Sequence, residues 1–249
     1  MTNTEIKWIK SLVQKKNRDD EKVFLVEGEK MADELRQSGF AIRKIVATKP
    51  LPFTIPRLSP DYVSAKTMQQ LSLLKTPTPV LAVVEQPVHP PFPAIDRDEL
   101  LLALDNVQDP GNVGTIIRTA DWFGIRHIVC SPDTADCYSP KVVQATMGAI
   151  FRVNIYRAAL PVFLRQAQLH TIIYGTFLDG ENLYKKKLTA GGVIVIGNEG
   201  NGISPDVAAE VSSRLLIPSF PEGSARSESL NAAVSAAIVC AAFRRGIRD

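Results

Sequence analysis

The chain holds only three cysteines, Cys130, Cys137 and Cys240, an odd number with no CxxC spacing. A disulfide framework and a thiolate zinc cluster are thereby excluded, and buried free thiols are expected instead. Histidine is equally scarce. His89, His127 and His170 are all there are, and none falls in a glycine-rich segment, so neither a histidine base nor a bound metal is expected. No apolar run approaches the ~20 residues that span a bilayer, and the opening MTNTEIKWIKSLVQKK lacks the apolar stretch of a secretory signal. The expectation is a cytoplasmic protein with no membrane partner. Three common site signatures are missing as well: the Walker phosphate loop, the GxSxG elbow, and GxGxxG placed directly after the first strand of an α/β domain. Nucleoside-triphosphate, serine-hydrolase and ordinary dinucleotide readings lose their footing.

What is present is a globular composition. The chain has 249 residues, 45% of them apolar, long enough for one large domain or two ordinary ones. Its net charge of +3 is unevenly divided: residues 1–85 carry 14 Lys and Arg against 10 Asp and Glu, residues 86–249 carry 15 against 16. The basic excess belongs to the first third. There Lys7, Lys10, Lys15, Lys16 and Arg18 crowd the opening segment, which reads either as a solvated helix face or as a set of contacts to nucleic-acid phosphates.

Residues 86–98, QPVHPPFPAIDRD, hold four prolines and break both helical and strand periodicity, so they read as a semi-rigid linker between domains 1–85 and 99–249. The first domain opens with a helix over 3–16, whose apolar stripe includes Trp8 as a packing residue. Strands at 23–26, 42–47 and 80–84 alternate with helices at 29–37 and 65–74, a small α/β sandwich. In the second domain strand and helix alternate more regularly. Runs such as Leu100 to Leu104 and Val193 to Ile196 are apolar without alternation, as strands covered on both faces require, so a mostly parallel sheet between helices is expected.

Three segments at strand-to-helix junctions carry chemistry. In the first, Pro110 and Gly111 turn the chain, Asn112 is a candidate helix cap, and Arg118 falls off the buried stripe of the helix that follows. A cation near a helix N-terminus gains nothing from the macrodipole, which leaves a surface salt bridge, for instance to Asp121, or a functional role. In the second, Gly197-Asn198-Glu199-Gly200-Asn201-Gly202 follows a strand, its glycines permitting positive φ and close backbone approach to a ligand, with Glu199 aimed into the turn. The third opens the terminal helix with Ser229 as cap and Asn231 and Ser235 one turn apart. That helix is apolar almost all round, which places it inside the fold or across a subunit interface.

Taken together, Asn112, Gly114 and Arg118, then Ile196 to Gly202, then Ile217-Pro218 with Ser229-Leu230-Asn231, match in order the three motifs of the SpoU (TrmH-type) RNA 2′-O-ribose methyltransferases. The resemblance covers the second domain almost end to end. The first domain, especially Phe24 to Gly28, resembles the small RNA-binding domain often fused to these enzymes. One departure is the stretch SFPEGSARSE between Pro218 and Ser229, longer than the usual loop. The resemblance implies an α/β trefoil-knotted (SPOUT) catalytic domain, against the general rule that chains are not threaded. It implies S-adenosylmethionine held by backbone near Thr176, Gly197, Ile217 and Leu230. It further implies a homodimer through the knotted domain and C-terminal helix, with Arg118 of one subunit completing the site of the other. The expected reaction is methylation of a ribose 2′-oxygen in RNA. Arg118 stabilises the developing alkoxide and binds the adjacent phosphate, and Asn112, Glu199, Ser229 and Asn231 orient the ribose and Arg118. A guanidinium is a poor base, so electrostatics comes first. The added N-terminal domain favours ribosomal RNA, 23S rRNA above all. A transfer-RNA enzyme, a base-modifying SPOUT enzyme and a non-catalytic RNA-binding or ribosome-assembly protein remain as alternatives.

Overall fold

The computed structural model describes residues 1–55, 58–88, 92, 95–221 and 229–245. Part of the proline-rich stretch (89–91, 93 and 94) and most of the long loop in the third motif (222–228) lie outside the described residues. The chain forms two compact units, Met1–Val88 with Asp136–Arg152, and His89–Ala135 with Val153–Asp249. The division is therefore not a single cut in the sequence.

The first unit opens with α1 (Asn3–Ser11) and α2 (Lys15–Glu21), followed by β1 (Val23–Glu27), α3 (Glu29–Gln37), β2 (Ile42–Ala47), β3 (Asp61–Tyr62), α4 (Ala65–Leu71) and β4 (Val80–Glu85). Its sheet runs β1-β4-β2-β3, with β4 antiparallel to both neighbours. Ile9 and Leu12 of the opening segment and Met68 and Leu71 of α4 bury Val23, Leu25, Val46 and Leu81 on one face, with Trp8 packed beside them. Each such side chain contributes about 1.5–3 kcal/mol when fully buried.

The expected helix over 3–16 is in fact two, and Arg18 explains the break. Its guanidinium donates to the carbonyls of Leu12 (2.7 Å) and Val13 (2.6 Å), which the end of α1 leaves free, and pairs with Asp136. Arg18 is 2% exposed. The expectation that it contacts RNA phosphates is thus corrected, because a buried, paired guanidinium has no edge left for solvent. Lys7, Lys10, Lys15 and Lys16 are exposed.

The second unit begins with β5 (Leu100–Leu104), α5 (Pro110–Trp122) and β6 (His127–Cys130). The chain then contributes α6 (Pro140–Thr146) and a 3-10 turn at Ala149–Phe151 to the first unit. Aromatic pairing accounts for that excursion: the Tyr138 ring lies 5.0 Å from Phe24, and Phe151 5.5 Å from Phe40. Back in the second unit come β7 (Asn154–Arg157), α7 (Leu160–Ala167), β8 (Ile173–Asn182), β9 (Gly192–Ile196), α8 (Pro205–Ala208), β10 (Ser213–Leu216) and α9 (Ala232–Arg244). The sheet order is β10-β8-β9-β5-β6-β7 and every pairing is parallel. Alternation splits its faces. Leu101, Ala103, Val193 and Val195 pack with Leu160, Phe163 and Leu164 of α7, while on the other face Tyr174 meets Phe243 of α9 at 4.9 Å between ring centroids. A parallel sheet sandwiched by helices is what the unalternating apolar runs require.

The first strand of this unit, β5, sits in the middle, and later strands are added on either side of it. The strand order reverses between β5 and β9, and ligand sites in open α/β sheets form outside the carboxyl ends of strands at such a point.

Cys130, Cys137 and Cys240 are all buried. Burial pushes the Cys240 thiol up to about 12, so at neutral pH it packs as an apolar group rather than acting as a nucleophile. Among the described residues no helix is long and apolar enough to cross a membrane, and no cluster of His, Cys, Asp or Glu could hold a metal ion.

Candidate active site

The loop after β5 carries Asp105 and Asn106, and the loop after β9 carries Asn198 and Glu199; they lie side by side. Asn198 Nδ2 donates to the Asn106 carbonyl at 2.9 Å, and the Ser204 N–H donates to the Asp105 carboxylate at 2.7 Å. Within the second loop Asn198 and Gly202 exchange both backbone hydrogen bonds at 2.9 Å, closing a tight ring, and Asn198 Oδ1 accepts the Gly200 and Asn201 N–H groups. Two of its glycines are obligatory for different reasons. Gly202 has φ +67°, the left-handed region, whereas a Cβ on Gly197 would sit 2.4 Å from the Gly202 backbone.

Helix α5 starts earlier than Asn112. Asp109 is its cap, accepting the Asn112 N–H at 2.8 Å, and Pro110 occupies the first helical position, where its missing donor costs nothing. Freed from capping, the Asn112 side chain faces the glycine-rich loop. Helix α9 likewise starts later than expected: Asn231, not Ser229, is its cap, its Oδ1 accepting the Ala233 and Val234 N–H groups at 3.0 and 3.2 Å.

These side chains join into one network. Asn112 Nδ2 donates to Glu199 Oε1, and Asn112 Oδ1 accepts from Asn231 Nδ2 at 2.9 Å. Ser229 Oγ donates to the Glu199 carbonyl at 2.8 Å. The polarity follows from chemistry. An ionised carboxylate only accepts, so Asn112 must present its amide nitrogen to Glu199 and its oxygen to Asn231, which turns the Asn231 oxygen toward the helix. Asn112 of the first motif is therefore held between Glu199 of the second and Asn231 of the third. Asn231→Ala removes a helix cap worth about 1 kcal/mol, which in a chain of this size lowers the unfolding midpoint by about 2–4 °C. Ser229 is exposed, and Ser229→Ala is expected to cost under about 0.5 kcal/mol; calorimetry of the two variants separates them.

Beside the network lies a cavity of about 830 Å³. Thr176, Gly197, Ile217 and Leu230 all line it, as do Glu199 and Ser229; Asn112, Asn231 and Arg118 do not. Arg118, in the third turn of α5, is exposed and makes no hydrogen bond or ion pair with a described residue. The salt-bridge explanation for this arginine has no support there.

One wall continues past Thr176 into residues that no motif marks. Strand β8 pairs with β10 at Tyr174 and Gly175, then again only at Glu181 and Asn182, although the β10 partners Arg214 and Leu215 are consecutive. Residues 176–180 therefore bulge out of the ladder, and Thr176, Phe177, Leu178 and Asp179 form cavity wall. The bulge closes at Gly180, where a Cβ would sit 2.5 Å from the Leu215 backbone. Arg214 also lines the cavity. The one hint in the sequence is Gly180 itself, in a stretch otherwise rich in side chains.

Comparison with known proteins adds the following. Residues 99–241 match the SpoU rRNA Methylase family, and residues 3–82 the MRM3-like substrate binding domain. The chain is 30% identical over 247 residues to the Bacillus subtilis 23S rRNA (guanosine(2553)-2′-O)-methyltransferase RlmP, covering 95% of this chain and 94% of that one. A TrmH-family protein from Porphyromonas gingivalis superposes with a TM-score of 0.86 at 40% identity over 98% of both chains. An AdoMet-bound rRNA methyltransferase from Sinorhizobium meliloti superposes at 0.85 with 30% identity, covering 100% of this chain and 97% of that one.

Proposed function

The chain belongs to the SpoU rRNA Methylase family, and from that premise we propose that it transfers a methyl group from S-adenosylmethionine to a ribose 2′-oxygen of 23S rRNA. The observation that carries the proposal is the network through which Asn112, Glu199, Ser229 and Asn231 of three motifs meet beside one large cavity. A relative alike over nearly its whole length, RlmP of Bacillus subtilis, is a 23S rRNA 2′-O-methyltransferase, which favours the large ribosomal RNA over transfer RNA.

The cavity suits the donor. Its volume falls in the range of small-molecule sites, and Gly197, which lines it, has no room for a side chain because the Gly202 backbone already fills that place. Thr176, Gly197, Ile217 and Leu230 would hold the donor, which supplies an electrophilic methyl when bound. The protein must then make a hydroxyl oxygen nucleophilic. Arg118 binds the phosphate next to the target ribose and stabilises the charge growing on its 2′-oxygen; Glu199, Asn112, Ser229 and Asn231 hold ribose and guanidinium in line. The reading includes a trefoil-knotted threading of the second unit, supported by the convergence of separate loops at Thr176, Gly197 and Ile217 on one cavity.

It also includes a homodimer in which Arg118 serves the partner's site, acting in the cytoplasm. The dimer has its support in an apolar strip left uncovered on α9 and near it: Leu230, Val234 and Ala241 are exposed, and Trp122 at the end of α5 is 84% exposed. For the first unit, the exposed Lys7, Lys10, Lys15 and Lys16, unpaired among the described residues, are the proposed RNA contacts. Product chemistry tests the proposal against base methylation. Alkaline hydrolysis of RNA labelled by this enzyme should leave the label in alkali-resistant dinucleotides, since a methylated 2′-oxygen cannot attack its phosphate. Label on mononucleotides would refute it.

A further inference from the structure

Among the described residues that line the cavity, two are acidic, Asp179 and Glu199, and one is cationic, Arg214. Arg214 is held unusually well for a half-exposed side chain. Its guanidinium carbon lies 3.7 Å from the centre of the Phe177 ring, and one amino group donates to Asp179 at 2.7 Å. Phe177 in turn packs against the buried cluster of Val193, Val195 and Ile203. The platform is thus anchored in the core, and the bulge at 176–180 delivers it to the cavity wall.

A stacked guanidinium keeps its edge free. Of its five N–H groups only one, on the amino group toward Asp179, is engaged by a described residue, and Asp179 itself is 72% exposed, a partner that water screens and another anion can replace. We propose that Arg214 is an anion-binding residue of the cavity, taking a carboxylate or phosphate oxygen, with Asp179 as the placeholder that holds it in position until that anion arrives. The inference rests on the methyltransferase reading, which offers two sources of such oxygens: the carboxylate of the donor's methionine moiety and a phosphate of the RNA.

Two substitutions with opposite expected signs provide the test. Arg214→Gln removes the donor edge and should weaken anion binding about tenfold; Asp179→Asn frees that edge and should tighten the same ligand about two- to fivefold. Titration calorimetry with S-adenosylmethionine and with its decarboxylated form, and filter binding of 23S rRNA across salt concentrations, distinguish the sources. If the donor carboxylate is bound, Arg214→Gln weakens the complete donor and leaves the decarboxylated one unchanged. If a phosphate is bound, RNA affinity falls and the salt slope drops by about one. Either pattern supports the proposal. It is overturned if both ligands stay within twofold, or if Asp179→Asn weakens the ligand as Arg214→Gln does, the result of a merely structural pair. Should Arg214→Gln melt early, the sign of the Asp179→Asn effect decides alone. Wild-type protein that binds no donor at all would instead remove the methyltransferase reading beneath it.

Discussion

Arg118→Ala is expected to lower methyl transfer about 10²–10³-fold, the loss typical of deleting one preorganised group aimed at developing charge. Donor affinity should stay within twofold of wild type, because Arg118 does not line the cavity. The unfolding midpoint should not move either, since the side chain is exposed and holds no described residue. Arg118→Lys separates charge from geometry: a single ammonium lacks the planar fork, so it should recover little of the lost rate. Wild-type turnover by the lysine variant would show that the guanidinium has no such role.

Gly197→Ala should abolish measurable donor binding. The new Cβ would lie 2.4 Å from Gly202 C and 2.5 Å from Gly202 O, both backbone atoms at the closure of that ring. No rotamer change relieves such a clash; the loop must open, and the Asn198–Gly202 hydrogen bonds with it. Equilibrium dialysis with labelled donor measures the effect. Binding within threefold of wild type would mean the ring is not part of the donor site. The two variants also test the shared site. Arg118→Ala keeps an intact cavity and Gly197→Ala keeps its arginine, so mixed and re-equilibrated protomers should regain about a quarter of wild-type activity if the site is built across a symmetric dimer. No recovery would place arginine and donor in one protomer.

Much of the fold was legible because burial leaves a local mark. Leu100–Leu104 lies where its apolar run predicted, and the strand Ile42–Ala47 and the helix Glu29–Gln37 lie where expected. Where the reading slipped, a distant partner was responsible. The opening helix breaks because Arg18 claims the carbonyls of Leu12 and Val13 and finds Asp136 far along the chain; a basic cluster in sequence cannot announce that one of its members is internal. Asp136–Arg152 packs with the first unit through aromatic contacts that helical periodicity does not encode. The caps moved by a few residues for local reasons, Pro110 at the first helical position in one case and a competing asparagine in the other.

The site divides in the same way. Asn112, Arg118, Glu199, Ser229 and Asn231 stand in motifs that resemble those of the family, and that resemblance, not spacing, singled out Thr176, Gly197, Ile217 and Leu230, which line a single space. It did not single out Phe177, Asp179 and Arg214. They meet through a register shift between β8 and β10, two strands far apart in the chain, which no motif marks.

The central claim is tested most directly by incubating the purified protein with S-adenosylmethionine labelled in its methyl group and total RNA from a strain lacking the protein, then separating the RNA by size. The account predicts label in 23S rRNA, recovered as 2′-O-methylated nucleoside. Label confined to transfer RNA, or absent from 23S rRNA both free and within ribosomal precursor particles, would contradict it.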